Sequence, residues 1–186
     1  FKQKTAYEIS TRDWSSDVCS SDLVRERLRR GDSLPHLILA GKEPSQEIQQ
    51  YLAENSDLPI RIVVSPSSEE LQSLYSLATA FLFPSFEEGF GWPILEAMAC
   101  GCPVVTAGKP PMSEVGSEAA IYIDPKKIPK AAFILNELLD WSVSQREEQV
   151  QKGFDNLRRF SREKFTDRKS TRLNSSHEWI SRMPSS

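Results

Sequence analysis

The chain has 186 residues, a formal net charge of −3, 39% hydrophobic, 26% charged and 9% aromatic side chains. That length is enough for one domain burying roughly two thirds of its unfolded surface, and the apolar fraction excludes a wholly disordered chain. The slightly acidic balance argues against nucleic acid as a partner, because phosphate binding needs a basic surface. No apolar run approaches the ~20 residues that span a bilayer, and no signal-peptide pattern opens the chain. Three cysteines make no disulfide framework, which points to a cytoplasmic location. Cys100 and Cys102 are spaced C-x-C without a further ligand nearby, so both read as small buried residues and no metal is expected.

Composition divides the chain into three parts. Residues 1–23 carry no helical or strand period and include the Ser/Asp run Ser15-Ser16-Asp17-Val18-Cys19-Ser20-Ser21-Asp22. Residues 167–186 are again Ser-rich and aperiodic, as in Arg172-Leu173-Asn174-Ser175-Ser176-His177. Both ends read either as disordered termini or, by resemblance, as translated sequencing-adapter read-through. In the second reading Trp14, Cys19, His177 and Trp179 carry no function, and the native domain is 24–166.

Within 24–166, strand-like and helix-like patterns alternate. Val24–Arg30 reads as the last turns of a helix ended by Gly31. Leu37-Ile38-Leu39-Ala40, closed by Gly41, reads as a strand buried on both faces. A helix is predicted over Ser45–Asn55, with Ile48, Tyr51 and Leu52 in helical spacing, then a strand at Ile60–Val64. Ser67 or Ser68 caps the next helix, which sets Leu71, Leu74, Tyr75 and Leu77 on one side. Strands follow at Ala80–Phe83, Val104–Thr106 and Ala120–Ile123, with a short helix at Pro93–Cys100 stopped by Gly101 and Pro103. Two helices, Pro129–Trp141 and Gln145–Phe160, complete the pattern. Such alternation implies a doubly wound α/β domain with a Rossmann-like parallel sheet.

Ligands of such sheets bind at the carboxyl ends of the strands. The most informative segment there is Pro84-Ser85-Phe86-Glu87-Glu88-Gly89-Phe90-Gly91-Trp92-Pro93, which joins a strand to a helix. Gly89 and Gly91 allow close backbone approach and expose amides at a helix start, a geometry suited to a diphosphate. Glu88 and Glu96 flank this turn, and carboxylates match the adjacent hydroxyls of a ribose or hexose. Equally, Glu88 reads as a solvated loop acid and Glu96 as a helix-dipole partner; spacing leaves both readings open. Lys42 and Glu114 are weaker candidates, the first preferred as a solvated lysine and the second as structural. His36 precedes a strand and cannot easily face that rim, while Leu37, Leu39, Phe81 and Phe83 belong to the core.

The run PSFEEGFGWPILEAMACGCPVV resembles the signature of glycosyltransferase family 4, the retaining nucleotide-sugar transferases of GT-B fold, with Glu88 and Glu96 in the family's Glu, seven residues, Glu pattern. Further matches are LILAGK, SEELQSLYSLATAFLFPS, SEVGSEAAIYIDP and FSREKF, although Ser113 replaces the family's usual proline before Glu114. The resemblance implies that Glu88 is catalytic, beside the donor sugar, and that Glu96 holds the ribose hydroxyls. It implies that Gly89, Phe90 and Gly91 offer backbone amides to the sugar or diphosphate. It further implies a UDP- or GDP-linked hexose as donor, a glycan or lipid acceptor, no cofactor, and peripheral membrane contact confined to the full-length parent.

In the family, this C-terminal half begins with a central strand followed by an Arg and a Lys that clamp the donor diphosphate. Lys4 and Arg12 stand in no matching context, so the sheet is expected to lack its first central strand. The chain is therefore expected to be a truncated donor-binding fragment, inactive alone. Alternatives are another GT-B enzyme, such as a phosphorylase or sugar epimerase, and a non-catalytic nucleotide-binding module.

Overall fold

The computed structural model describes residues 5–8 (backbone only), 26, 29, 36–85 and 89–160, with the Glu47 side chain excepted. Six parallel strands form one sheet: β1 Thr5–Glu8, β2 His36–Gly41, β3 Ile60–Val64, β4 Ala80–Phe83, β5 Val104–Ala107 and β6 Ala120–Ile123. Their spatial order is β3-β2-β1-β4-β5-β6, the order of a sheet wound outward in both directions from its middle.

The central slot is occupied, which corrects the expectation that the first central strand is missing. Thr5–Glu8 pairs with His36–Leu39 on one side and Ala80–Leu82 on the other. The physical reason is the backbone. Without a strand there, the inner edges of β2 and β4 would present unpaired N–H and C=O groups, and any extended segment can satisfy them. Four residues without an apolar run gave no periodic signal for this.

The remaining strands follow the apolar runs. In β4, Phe81 and Phe83 face one side of the sheet and Ala80 and Leu82 the other, and all four are buried. The same alternation separates Ala40 from Leu37 and Leu39 in β2. Helices cover both sides: α1 Gln46–Glu54, α2 Ser68–Leu77, α3 Trp92–Ala99, α4 Met112–Gly116, α5 Ile128–Leu139 and α6 Val143–Leu157. Residues of α2, α3 and α4 pack with Phe81 and Phe83, whereas α5 packs through Ala131, Ala132 and Leu135 onto Ala80, Leu82 and Val105.

Serine caps set three helix starts. The Ser45 hydroxyl accepts from the Ile48 amide, and Ser67 with Glu70 and Ser142 with Gln145 form reciprocal capping boxes. The last helix therefore begins at Val143, before the predicted Gln145, and its final turn tightens to a 3₁₀ helix at Arg158–Phe160. On α2, Tyr75 is buried and Leu71 and Leu74 are partly buried, but Leu77 is 74% exposed. Leu77 lies two residues past Tyr75, about 200° around a helix of 3.6 residues per turn, so it cannot share the buried side.

Helix α6 ties the sheet together from end to end. Near its start, the Arg146 guanidinium donates to the carbonyls of Ala78 and Thr79, just before β4. Midway, the buried Gln149 amide donates to the Ala119 carbonyl at 2.8 Å. Near its end, the Asn156 amide donates to the Val115 carbonyl at 2.8 Å.

A second polar tie lies within the sheet. Thr106 is fully buried, and its hydroxyl donates to the Phe83 carbonyl at 2.8 Å, at the last residue of β4. Thr106→Val keeps the volume and removes the donor, so a loss of about 1–3 kcal/mol is expected. Thr106→Ser should retain most of the stability. Equal denaturation midpoints for the Val and wild-type chains would contradict this role for the hydroxyl.

Candidate functional site

Strand β4 ends beside β1 at the middle of the sheet, and the chain leaves it through Pro84 and Ser85. It returns through Gly89 and Phe90 to Gly91, which precedes α3. Gly91 has φ 91° and ψ 37°, a left-handed conformation that only glycine adopts at low cost. Helix α3 then starts at Trp92, with Pro93 second, one residue earlier than the sequence pattern predicts. No side chain caps this helix, and its first turn carries no acidic residue. Among the described residues no carboxylate answers its N-terminal amides or the positive end of its dipole.

The turn is held from behind. The rings of Phe90 and Trp92 lie 4.7 Å apart, and Phe160 meets Phe90 edge-on at 6.1 Å. Arg159 sits over Phe160 at 5.4 Å, and its guanidinium also donates to Asn156 and to the Glu114 carbonyl. The aromatic side of the turn therefore faces protein. Around Gly89, by contrast, an added Cβ would find nothing within 4 Å.

Glu96 is the fifth residue of α3, about 6 Å along the axis from Trp92 at ~1.5 Å per residue. It is half-buried among Pro93, Ile94, Leu95, Ala97 and Met98, all buried. Among the described residues, no lysine or arginine forms an ion pair with it. Burial pushes its carboxyl above the usual range, and the Tyr75 hydroxyl on α2 offsets part of that rise. The Tyr75 phenol is itself raised well above its ordinary value, first by burial and then by the charge of Glu96. Burial likewise lifts Cys100 to about 11 and Cys102 to about 12, so both thiols stay protonated at neutral pH. Cys102 is buried as expected, and Cys100 is half-buried.

The other sequence candidates are distributed around this point. Gly89, Phe90, Gly91 and Glu96 are brought together by one turn and one helix. Glu88 lies outside the described residues, as do Lys4 and Arg12. Lys42 is exposed and directly follows β2, two strands from β4 and thus about 10 Å across the sheet. Glu114 is exposed on α4, after the neighbouring strand β5, where its carbonyl serves as a tie for Arg159. His36 opens β2 at the amino rim, away from the turn. Two residues escaped sequence reasoning. Tyr75 read as one more apolar position at helical spacing, and Thr106 as part of a strand; the one hydroxyl in Val104-Val105-Thr106-Ala107 was the available signal.

A doubly wound parallel sheet with a glycine turn before a helix at its switch point defines an α/β class whose ligand sites lie at the carboxyl ends of the strands. The chain belongs to the glycosyl transferases group 1 family, whose model matches residues 24–155. It is 41% identical over 108 residues to O-antigen chain mannosyltransferase B of Escherichia coli, covering 58% of this chain and 28% of that protein. It is 32% identical over 132 residues to O-antigen chain mannosyltransferase RfbU of Salmonella typhimurium, covering 68% of this chain and 37% of the relative. The chain thus spans under two fifths of the length of these curated relatives. The C-terminal domain of a group 1 family protein, LpcC from Francisella tularensis, superposes with a TM-score of 0.67 at 20% identity, covering 83% of this chain and 85% of that one. A TarM mutant of S. aureus, crystallised with UDP among other ligands, gives 0.73 at 18% identity, covering 90% and 35%. These structural neighbours are GT-B glycosyltransferases, and the fold is theirs.

The half-buried carboxylate has a measurable consequence. A raised folded-state pKa means that the folded chain binds this proton more readily than the unfolded one. The stabilisation is complete below the unfolded-state pKa and is lost as pH rises through the folded-state value. At neutral pH the ionised group is a net cost, so Glu96→Gln should melt at a higher temperature than wild type at pH ~8, with the gap closing toward pH ~4. A gap independent of pH would contradict the assignment. Gly91→Ala should cost about 1–2 kcal/mol through backbone strain; its Cβ would meet only Ile94 Cδ1, at 3.4 Å.

Proposed function

We propose that the chain is the nucleotide-sugar-binding part of a retaining glycosyltransferase that moves a hexose from a GDP- or UDP-sugar to a glycan or lipid acceptor in the cytoplasm. The observation that carries this reading is Glu96, a half-buried carboxylate without a cation among the described residues, beside a glycine turn and a helix start with no side-chain cap. Such a group is unfavourable for the folded chain by itself and gains from an outside hydrogen-bond donor. Adjacent ribose hydroxyls supply two such donors. In the same reading the amides of Gly89, Phe90 and Gly91 receive the sugar or the diphosphate. Glu88 holds the donor hexose and supports positive charge at the anomeric carbon. Lys42 and Glu114 remain outer candidates.

The names of the relatives support a choice of first donor. Two are O-antigen chain mannosyltransferases, and a Xanthomonas oryzae relative, 31% identical over 116 residues, is a GDP-mannose:cellobiosyl-diphosphopolyprenol alpha-mannosyltransferase. A GDP-linked mannose is accordingly the first donor to try. The binding domain in this reading is 24–166, with 1–23 and 167–186 set apart by their resemblance to adapter translation, except that Thr5–Glu8 completes the sheet between β2 and β4. Transfer is assigned to the longer protein, with the acceptor held outside this chain, and the 186-residue chain alone is expected to form no product. Among the described residues no helix is long and apolar enough to cross a membrane.

Calorimetry with GDP-mannose and with free GDP tests the binding reading. Glu96→Ala should weaken both by about tenfold or more, the scale of a lost charge-assisted hydrogen bond. In the full-length protein, Glu88→Gln should lower kcat by about 10²–10³, the cost of one missing electrostatic contact in a transition state. Unchanged donor affinity in the first variant, or unchanged turnover in the second, would remove that residue from its role. Binding of GDP with no preference for the attached sugar would favour a non-catalytic nucleotide-binding module instead.

A further inference from the structure

We propose that Thr106 is a positioning residue for the donor turn: its buried hydroxyl pins the one polar handle of the Phe83–Pro84 peptide and so sets the direction in which the chain leaves β4 toward Gly89, Phe90 and Gly91. This rests on the donor-binding reading of that turn above. The hydroxyl donates to the Phe83 carbonyl at 2.8 Å, and Thr106 is completely buried. Phe83 is the last residue of β4 and lies opposite Thr106 in the ladder with β5. The next residue is Pro84, also buried. A proline contributes no N–H, so the peptide joining the two can be held only through its carbonyl. The Pro84 ring then fixes the following φ at about −65°. A hydroxyl bond and a ring, acting in succession, leave the chain little freedom where the turn begins.

Packing alone does not call for a hydroxyl at this place. Thr106 shares its face of β5 with Val104, two residues earlier, and that face carries the apolar cluster of Phe81, Phe83, Ile94 and Met98. A valine would fill the same volume, so what threonine adds is one directional bond. Among the described residues, the other buried polar side chains, Gln149 and Asn156, lie on α6, and Thr106 is the one within the sheet. Its acceptor stands at the carboxyl rim beside the switch point. Phe83 also bears on the far end of the turn. Its ring belongs to the cluster against which Phe90 and Trp92 pack, and Ile94 of that cluster donates its amide to the Gly91 carbonyl at 3.1 Å. Rotation of the Phe83–Pro84 peptide thus moves the turn at its start and shifts what lies beneath its return. Amides displaced in this way meet a diphosphate or sugar oxygen at a poorer angle, and hydrogen bonds weaken steeply with misalignment.

The test compares wild type, Thr106→Val, Thr106→Ser, Ile123→Val and Glu96→Ala in the 186-residue chain, with GDP and GDP-mannose as calorimetric probes well below the lowest melting temperature of the set. Thr106→Val should weaken both about 3–10-fold, the effect of one net hydrogen bond, while Thr106→Ser should bind within about twofold of wild type. Ile123→Val, a buried truncation on β6 in the cluster on the opposite side of the sheet, should lower the melting temperature and leave affinity unchanged. The amide resonances of Gly89, Phe90 and Gly91 should move in Thr106→Val and stay in place in Thr106→Ser and Ile123→Val. A purely structural role predicts that Thr106→Val melts lower yet binds like wild type, or that Ile123→Val loses as much affinity. Either result, with Glu96→Ala still weakening binding, overturns the Thr106 inference and spares the donor-binding reading. No effect of Glu96→Ala, or no binding of either probe by wild type, overturns both. Pro84→Ala is a second variant that keeps the hydroxyl. It frees the φ and gives the peptide an N–H, so it should weaken both probes in the same direction, and unchanged affinity overturns the inference.

Discussion

The structure depends on backbone pairing at the middle of its sheet. Strand β1 is the one element with β2 bonded along one edge and β4 along the other, and the switch point lies between β1 and β4. Peptide groups are the same whichever residues bear them. The slot therefore demands an extended segment of suitable length more than any particular side chains, and Thr5–Glu8 meets that demand. Outward from it, each ladder fixes the next: β4 sets β5 through Phe81–Val104, Leu82–Val105 and Phe83–Thr106, and the Thr106 hydroxyl holds the carbonyl from which the functional turn departs.

Upon that frame the candidate site adds an electrostatic imbalance. A carboxylate half-withdrawn from water usually finds a cation, and Glu96 has none among the described residues. The helix that carries it begins with a left-handed glycine and no capping side chain, so among the described residues its amide end is equally unanswered. One vacancy suits hydroxyl donors and the other suits an anion. A nucleoside diphosphate carries both groups on one molecule, with ribose hydroxyls near a diphosphate.

Much of this was legible in the amino-acid order. Short apolar runs marked β2 to β6, Ser67 or Ser68 marked the start of α2, and Gly89, Gly91 and Gly101 marked where the chain turns. The motif also brought Gly89, Phe90, Gly91 and Glu96 to the end of β4. Other features depend on tertiary neighbours and carry no local signature. Thr5–Glu8 became a strand because two edges awaited it. Leu77 fell off the buried side because the helix turns 100° per residue, faster than its apolar letters suggested. Tyr75 looked like core because it is core, ring and hydroxyl oxygen alike.

Helix α6 is a strut. Its 15 residues span about 22 Å at ~1.5 Å per residue, comparable with the height of the sheet. Arg146 grips the chain entering β4, Asn156 and Arg159 hold α4 after β5, and Phe160 backs Phe90 in the turn leaving β4. The two ends of the most informative strand are thus clamped by a single rigid rod. Fraying at the rod's far end would loosen the glycine turn and strip the backing from Phe90 while leaving Glu96's own helix intact. Ligand affinity would then decline before the domain melts.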